Sequence, residues 1–457
     1  MYTIDLDRPC RVYFIGIGGS SMSGLAEFLY HYGFDVSGSD RDESKYTRKL
    51  RGMGMTVHIG QKAENVPEGL DAVVYTAAVH ADNPEYARAA QMGLPLINRA
   101  VLLGQIMKAH HKSAAISGTH GKTTTSAMTV DILLHAGMDP SVSIGGVLDS
   151  IGGNSRVGSR ETFVAEACEF TNSFLEMYPE VAAVLNIEED HLDFFKDLDD
   201  IRHSFREFLS HVPEGGTAVI GAAIDRWQEL VEGLPCRVVT FGEGGDITAR
   251  DLVYDEEGRG SFLLCLPGEE PQPVRLTVSG AHNVLDALAA AGTCQAMGVP
   301  ADAIAEGLNA YTGARRRFEK KGVLNGVEIY DDYGHHPTEL KVTLEVAALK
   351  KKGRVWAVFQ PFTYSRTKFL FEDFAQVLTL ADEVVLTPIM GARETDTLGM
   401  DSEQLAARVR ELGTSAIALP SFDAAEDYLF KKCEPGDLLI TMGCGDAYKI
   451  GEALLSR

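Results

Sequence analysis

Apolar residues recur along the chain in two alternating periods. The run RVYFIGIGG is a buried-type strand entering a glycine-rich turn, and beyond it Met22, Leu25, Ala26 and Leu29 fall at helical spacing until Gly33 stops the helix. FDVSGSD and DAVVYTAAV predict two further strands. A second cycle opens at KSAAISGTHGKTTT, again strand, loop and helix, striped by Ala127, Val130 and Leu134 and ended by Gly137. TFVAEA and VAAVLNI follow as apolar strands whose ends carry acidic or imidazole side chains. From residue 215 to 280 the texture changes: GGTAVIG, CRVVTFG, SFLLCLP and PVRLTVSG predict a small antiparallel layer. The helix HNVLDALAAAGTCQAMG restores α/β character. A third cycle follows GARRRFEKKG, with GVEIYDD, RVWAVFQ, EVVLTP and DLLITMG as its strands.

Alternating strands and helices predict an α/β fold with parallel, helix-covered sheets. The three cycles divide the chain into domains at 1–107, 108–321 and 322–457, in keeping with 457 residues at roughly 150 per domain. Charge narrows the functions open to it. Against 42 Lys and Arg stand 65 Asp and Glu, a net −23, which repels a phosphate backbone or an anionic bilayer over most of the surface. No nucleic-acid or membrane partner is expected, and an anionic ligand needs a local site. The start carries no basic and apolar leader pattern, and no run of 18 apolar residues occurs, so the expected location is cytoplasmic. Seven scattered cysteines without a C-x-x-C pair suit reduced thiols rather than disulfides or structural zinc. Monomer and homodimer both remain open.

The sharpest motif is SGTHGKTTT, residues 117–125. A phosphate loop surrounds an anion with backbone N–H groups and a helix N-terminus, adds a lysine for the terminal phosphates and offers a hydroxyl to magnesium. Lys122 and Thr123 occupy those last two places, whereas Ile116 stands where the general pattern has its first glycine. Glu166, closing TFVAEA, is a hard oxygen ligand for Mg2+ on a neighbouring strand. His191, in NIEEDHLD, follows the next strand. Each could be an ordinary loop residue, but both fall at carboxyl ends of strands, where open α/β sheets place ligands.

A second glycine loop, GIGGSSMSG at 16–24, satisfies G-x-G-x-x-G at Gly16 and Gly18 but has Ser21 in third place. Asp40 ends the following strand, where a ribose acceptor is expected. A diphosphate at this helix N-terminus fits, and a dinucleotide or a UDP-sugar would satisfy it alike.

Taken together, GIGGSSMSG, SGTHGKTTT, EACEFTNSF, NIEEDHLD, SGAHNVLDALAA, GARRRFE, DDYGHHPTE and FQPFTYSRT make the chain resemble the Mur ligase family over essentially its whole length. The resemblance implies a Rossmann-like N-terminal domain for a UDP-sugar, a central ATPase-like domain, and a Rossmann-like C-terminal domain closing on ATP and an amino acid. It implies ATP-dependent joining of L-alanine to the lactyl carboxylate of UDP-N-acetylmuramate through an acyl phosphate, in peptidoglycan precursor synthesis. Two anions 4 Å apart repel by about 4 kcal/mol at an effective dielectric near 20, so the first step needs cations between carboxylate and phosphate.

By the same resemblance, Lys122, Glu166 and His191 are the catalytic residues, and Thr123, Glu166 and His191 the magnesium ligands. Gly118, Thr119, His120, Gly121, Lys122, Thr123 and Thr124 cradle ATP, with Asn283 at adenine, Arg317 at a phosphate and Asp332 at ribose. Gly16, Gly18, Gly19, Ser20 and Asp40 hold the UDP-sugar, and His335 and Arg366 the amino acid. ATP is expected to draw the C-terminal domain onto the central one.

Departures from the family pattern matter too. EACEFTNSF keeps Glu166 but replaces the acidic residues usual later in that motif, which removes the support for a role of Glu169 or Asn172. Phe362 stands where relatives often have His. Lys196 and Arg206 follow DHLD, so no carbamylated lysine is expected, and His335 with His336 lacks the further ligands of a metal site. The alternatives are a recycling ligase that joins a tripeptide to the same sugar nucleotide, disfavoured by Tyr333, Gly334 and Arg366, a catalytically silent nucleotide-binding module, and an NAD-dependent dehydrogenase that would leave the phosphate loop unexplained.

Overall fold

A computed structural model describes residues 2–192, 194–392, 394–396 and 398–457. Four sheets organise the described residues. The first is five-stranded and parallel, in the spatial order Thr56–Ile59, Asp35–Asp40, Arg11–Ile15, Ala72–Tyr75, Leu96–Asn98. Strand order reverses around Arg11–Ile15, and the crevice at such a switch point is where open α/β sheets take ligands. Helix Ser20–His31 starts there. Its stripe Met22, Leu25, Ala26 and Leu29 is buried with Val12 and Phe14.

Helix Arg99–Lys108 leads straight into the second sheet. Its Gly104 packs so tightly against Glu176 that a Cβ would overlap the carbonyl oxygen there. One continuous apolar cluster then joins the first two units, from Phe14 and Phe28 through Met107 to Phe163, Phe174 and Phe205. The second sheet has seven strands, ordered Arg237–Phe241, Thr217–Gly221, Val181–Val184, Lys112–Ser117, Thr162–Glu166, Ser141–Leu148, Gly153–Arg156, parallel except for the last. The phosphate-loop strand Lys112–Ser117 is therefore flanked by the strands ending near Glu166 and His191. Helices Lys122–His135, Ala281–Ala296 and Ala301–Ala310 are buried in a second cluster on this unit.

The antiparallel layer is narrower than the sequence pattern suggests. GGTAVIG and CRVVTFG belong to the parallel seven-stranded sheet, because their continuous apolar runs are covered on both faces. Among the described residues only Thr248–Tyr254, Arg259–Cys265 and Gln272–Ser279 form a three-stranded antiparallel sheet, and along its central strand residues alternate in burial.

The last sheet has six strands, ordered Glu319–Leu324, Val327–Asp332, Leu438–Met442, Val355–Phe359, Glu383–Leu386, Ser415–Ala418. All are parallel but the first, an antiparallel edge. Apolar clusters cover both its faces. All seven cysteines are free thiols, and among the described residues no helix is long and apolar enough to cross a membrane.

Candidate active site

The phosphate loop turns on Gly118 and Gly121, whose φ angles of +139° and +84° belong to glycine. Gly121 is the N-cap of helix Lys122–His135 and offers no side-chain cap, so the first amides of that helix remain for an anion. Asn186 pins the loop: its Oδ1 accepts from the His120 N–H at 2.8 Å and its Nδ2 donates to the His120 carbonyl at 3.1 Å.

Lys122 reaches back over the loop. Its Nζ donates to the carbonyls of Gly118 and Thr119 and to both carboxylate oxygens of Glu169, at 3.1 and 3.0 Å. Burial is the largest single influence and opposes its charge, but Glu169, Cys168 and Glu166 together outweigh it and raise the pKa above that of an ordinary lysine. Glu169 is 3% exposed. It is thus the partner of Lys122, a relation that the altered EACEFTNSF motif hid.

The oxygen pair expected for magnesium is assembled. Thr123 Oγ1 donates to Glu166 Oε2 at 2.9 Å, and the Gly145 N–H donates to the same oxygen at 2.8 Å. A Cβ at Gly145 would stand only 2.7 Å from that carboxylate, so glycine is what admits it. A hydroxyl and a carboxylate at the mouth of a phosphate loop are hard donors that fit Mg2+.

His191 has other neighbours. Its Nε2 lies 4.0 Å from Glu169 Oε1 and 3.6 Å from Asp190 Oδ2, and its ring packs on Phe170 at 4.6 Å. Burial, helped by Arg366 and Lys122 and opposed by Asp190, lowers its pKa to about 4. The imidazole is neutral near pH 7 and able to coordinate or accept a hydrogen bond.

The C-terminal unit and the segment leading into it reach the loop and the strand end beside it. Arg317 Nη2 donates to Thr123 Oγ1 at 3.1 Å, Thr338 Oγ1 donates to Glu188 Oε2 at 2.9 Å, and Arg366 Nη2 donates to Asp190 Oδ1 at 2.9 Å. Between the two units lies a cavity of about 990 Å³, lined by His120, Thr124, Asn283, Arg317 and Asp332 among others, a volume suited to a nucleotide. Asn283 donates to the Ser279 carbonyl at 2.7 Å. Asp332 accepts from the N–H groups of Phe318 and Gly334 at 2.8 and 2.7 Å, so it also shapes the cavity wall.

Near Arg366 stand His335 and Phe362. The rings of His335 and Phe362 are 6.1 Å apart, and the Arg366 guanidinium is 5.9 Å from the Phe362 ring centre. Burial lowers the His335 pKa to about 4. Glu339 Oε2 accepts from the His335 N–H at 2.9 Å and fixes that turn.

In the first unit, Gly19 caps helix Ser20–His31 without a side-chain bond, and Gly16 has φ +85°. Asp40 Oδ2 accepts from the Gly18 N–H at 2.8 Å, so this carboxylate braces the loop itself. Ser20 Oγ accepts from Asn154 Nδ2 at 2.9 Å, which ties the loop to the central sheet. Motif spacing gave no signal for Glu169, Asp190, Glu188 or Glu339. Each is defined by a partner far away in sequence.

Comparison with known proteins places these features in a wider group. Three family models match in succession: "Mur ligase family, catalytic domain" over residues 11–111, "Mur ligase middle domain" over 116–294 and "Mur ligase, glutamate ligase domain" over 316–445. The chain is 51% identical to the UDP-N-acetylmuramate–L-alanine ligase of Lachnospira eligens, with 100% of each sequence covered. Among solved structures it is similar to the UDP-N-acetylmuramate-alanine ligase MurC of Thermotoga maritima, with a TM-score of 0.82, 27% identity and coverage of 98% and 99%. Similarity to a murein peptide ligase of Psychrobacter arcticus is weaker, with a TM-score of 0.73 at 25% identity and 98% coverage of each chain.

Proposed function

The chain belongs to the Mur ligase family, and from that premise we infer that it joins L-alanine to the lactyl carboxylate of UDP-N-acetylmuramate at the expense of ATP. The carrying observation is a line of charged groups across two domains. Lys122 meets Glu169, His191 lies between Glu169 and Asp190, and Asp190 meets Arg366. A lysine for phosphate and an arginine for a carboxylate thus converge on one half-buried imidazole.

In this reading the sugar nucleotide's diphosphate sits at Gly16, Gly18, Gly19 and Ser20. Its lactyl carboxylate attacks the γ-phosphorus of ATP, releasing ADP and leaving an acyl phosphate. The free amine of L-alanine then attacks the acyl carbon, phosphate departs, and the amine proton is lost. Lys122 and the loop amides draw the phosphate charge away from the incoming carboxylate. Arg317 holds a phosphate oxygen from the C-terminal side, while Asn283 and Asp332 line the nucleoside end. Arg366 receives the amino acid's carboxylate, for which a guanidinium is suited.

Magnesium, held by Thr123 and Glu166 with His191 close by, would supply positive charge between the two anionic reactants. Closure over the cavity keeps water from the acyl phosphate. Both nucleotides and L-alanine are metabolites of the cytoplasm, the compartment in which the reaction is placed.

The test is an assay of phosphate release with each component omitted in turn. Release is expected only when ATP, UDP-N-acetylmuramate and L-alanine are all present. ATP turnover without the sugar nucleotide would overturn the ligase reading, and preference for a tripeptide over L-alanine would move the chain to the recycling branch.

A further inference from the structure

Beside the phosphate loop, where His120 and Glu188 line the same cavity, three side chains from three distant segments meet. His120 comes from the loop, Glu188 from the segment after strand Val181–Val184, and His336 from the start of helix Pro337–Lys350. One ligand-type atom from each lies within 4.8 Å of the other two. His120 Nε2 is 3.3 Å from Glu188 Oε2, and the two imidazole rings are 4.8 Å apart. His335 and His336 alone supplied too few ligands in the sequence. Folding supplies the missing ones from residues 120 and 188.

A second observation points to a ligand. The Nε2 atom of His336, a residue only 6% exposed, is buried and makes no hydrogen bond among the described residues, and His120 Nε2 has only its 3.3 Å ion pair with Glu188. Orphaned ring nitrogens are costly unless something binds them. The charge balance agrees. Glu188 and Glu339 both face His120, with Glu339 Oε1 at 3.3 Å from Nδ1, so two carboxylates share one imidazolium. Arg317 already answers part of the Glu339 charge, and a divalent cation would answer that of Glu188.

We propose that His120, Glu188 and His336 form a zinc site that latches the C-terminal domain to the phosphate loop. Two ligands about 2.0–2.1 Å from a tetrahedral zinc lie roughly 3.3–3.4 Å apart, which matches the His120–Glu188 separation of 3.3 Å. The third atom has to close by at most about 1.4 Å to reach that tetrahedral spacing, within the range of a side-chain torsion. Two imidazoles and one carboxylate favour zinc over magnesium, which prefers oxygen and keeps its waters. Glu339 on His120 Nδ1 supplies the carboxylate–histidine–metal arrangement that orients such ligands, and Thr338 Oγ1 orients Glu188.

Coordination displaces the proton that Glu188 and Glu339 keep on His120. It also moves the His336 proton to Nδ1, where the 3.3 Å contact from the Thr338 N–H is given up. Glu339 still caps this helix through the N–H groups of His335 and His336. Because the ligands span two domains, zinc holds the closed form and slows nucleotide exchange.

The site is tested with zinc alone on the full chain, in excess Mg2+ so that oxygen ligands at Thr123 and Glu166 are already served. One zinc per chain is expected. His336→Asn and Glu188→Gln should each weaken binding at least about tenfold, as loss of a ligand does, whereas Glu166→Gln leaves it unchanged. X-ray absorption on the unaltered protein should show two imidazoles and one carboxylate oxygen on the metal, a readout that stands even if a variant fails to fold. Absence of saturable zinc binding, undiminished affinity in both His336→Asn and Glu188→Gln, or loss of zinc with Glu166→Gln alone would overturn the proposal. Ligase activity enters none of these readings, so failure of the ligase assignment is separately visible.

Discussion

Arg366 grips Asp190 across the domain interface with two of its three guanidinium nitrogens, Nε at 3.3 Å and Nη2 at 2.9 Å, while Nη1 is buried and has no partner among the described residues. Both side chains are 10% exposed. Burial opposes the charge on Asp190, but Arg366 and then His191 hold its pKa below the usual carboxylate range. The pair therefore stays ionised, and the orphaned Nη1 is the donor left for a substrate carboxylate. Arg366→Lys keeps the charge but not the fork. With a charged hydrogen bond worth about 1.5–3 kcal/mol, steady-state kinetics should show kcat/KM for the amino acid falling about 10- to 100-fold, with the KM values of both nucleotides little changed. Asp190→Asn should shift the amino-acid KM in the same direction.

Glu169 is the anion that Lys122 meets in this structure, and the proposed function brings ATP phosphates to the same ammonium. In Glu169→Gln the buried Lys122 loses its anion, and breaking a buried pair costs about 3–5 kcal/mol. The variant should melt well below the parent without ligand and recover most of the difference with ATP, whose phosphates restore a partner. Thermal melts with and without ATP measure this; an unchanged ATP-induced shift would count against it. Lys122→Ala should lower turnover by about 10³-fold or more and leave UDP-sugar binding in the first domain intact, as isothermal titration can show.

The sheets and the phosphate loop were legible because their signals are local. A strand ending in SGTHGKTTT and an apolar stripe after it predict Lys122 and Thr123 at a helix N-terminus, and Glu166 follows from its place at a strand end. The assignment of GGTAVIG and CRVVTFG failed for a related reason. Short apolar strands look alike whether a neighbour runs parallel or antiparallel, and burial of both faces is decided by helices far off in sequence. Glu169 was invisible because its motif departs from the family pattern, yet Lys122 reaches it over 47 positions. His336 and Glu188 meet His120 only after three segments pack together.

Phe362 forms one wall beside His335 and Arg366. If Arg366 binds the amino acid's carboxylate, the ring limits the room for its side chain. Phe362→Ala should relax selection for L-alanine over L-valine by about 1–3 kcal/mol, the scale on which apolar pockets discriminate. Competition assays read this as a roughly 5- to 150-fold change in relative kcat/KM. Unaltered selectivity would place the side-chain pocket elsewhere.

Asp286 lies beneath the phosphate loop, where a Cβ on Gly121 would collide with its carboxylate. Burial raises its pKa from 3.8 to about 7, and the hydrogen bond from Thr125 Oγ1 at 3.2 Å only partly offsets this. A carboxyl whose pKa rises on folding favours the fold while protonated. Its contribution is whole below about pH 4 and is lost as pH climbs through about 7. Asn cannot ionise and can still accept from Thr125. Asp286→Asn should thus be more stable than the parent at pH 8, by an amount approaching about 4 kcal/mol, with the advantage shrinking toward pH 4. Denaturant unfolding at a series of pH values checks both sign and window. A constant offset between the two proteins from pH 4 to pH 8 would show that Asp286 does not titrate there.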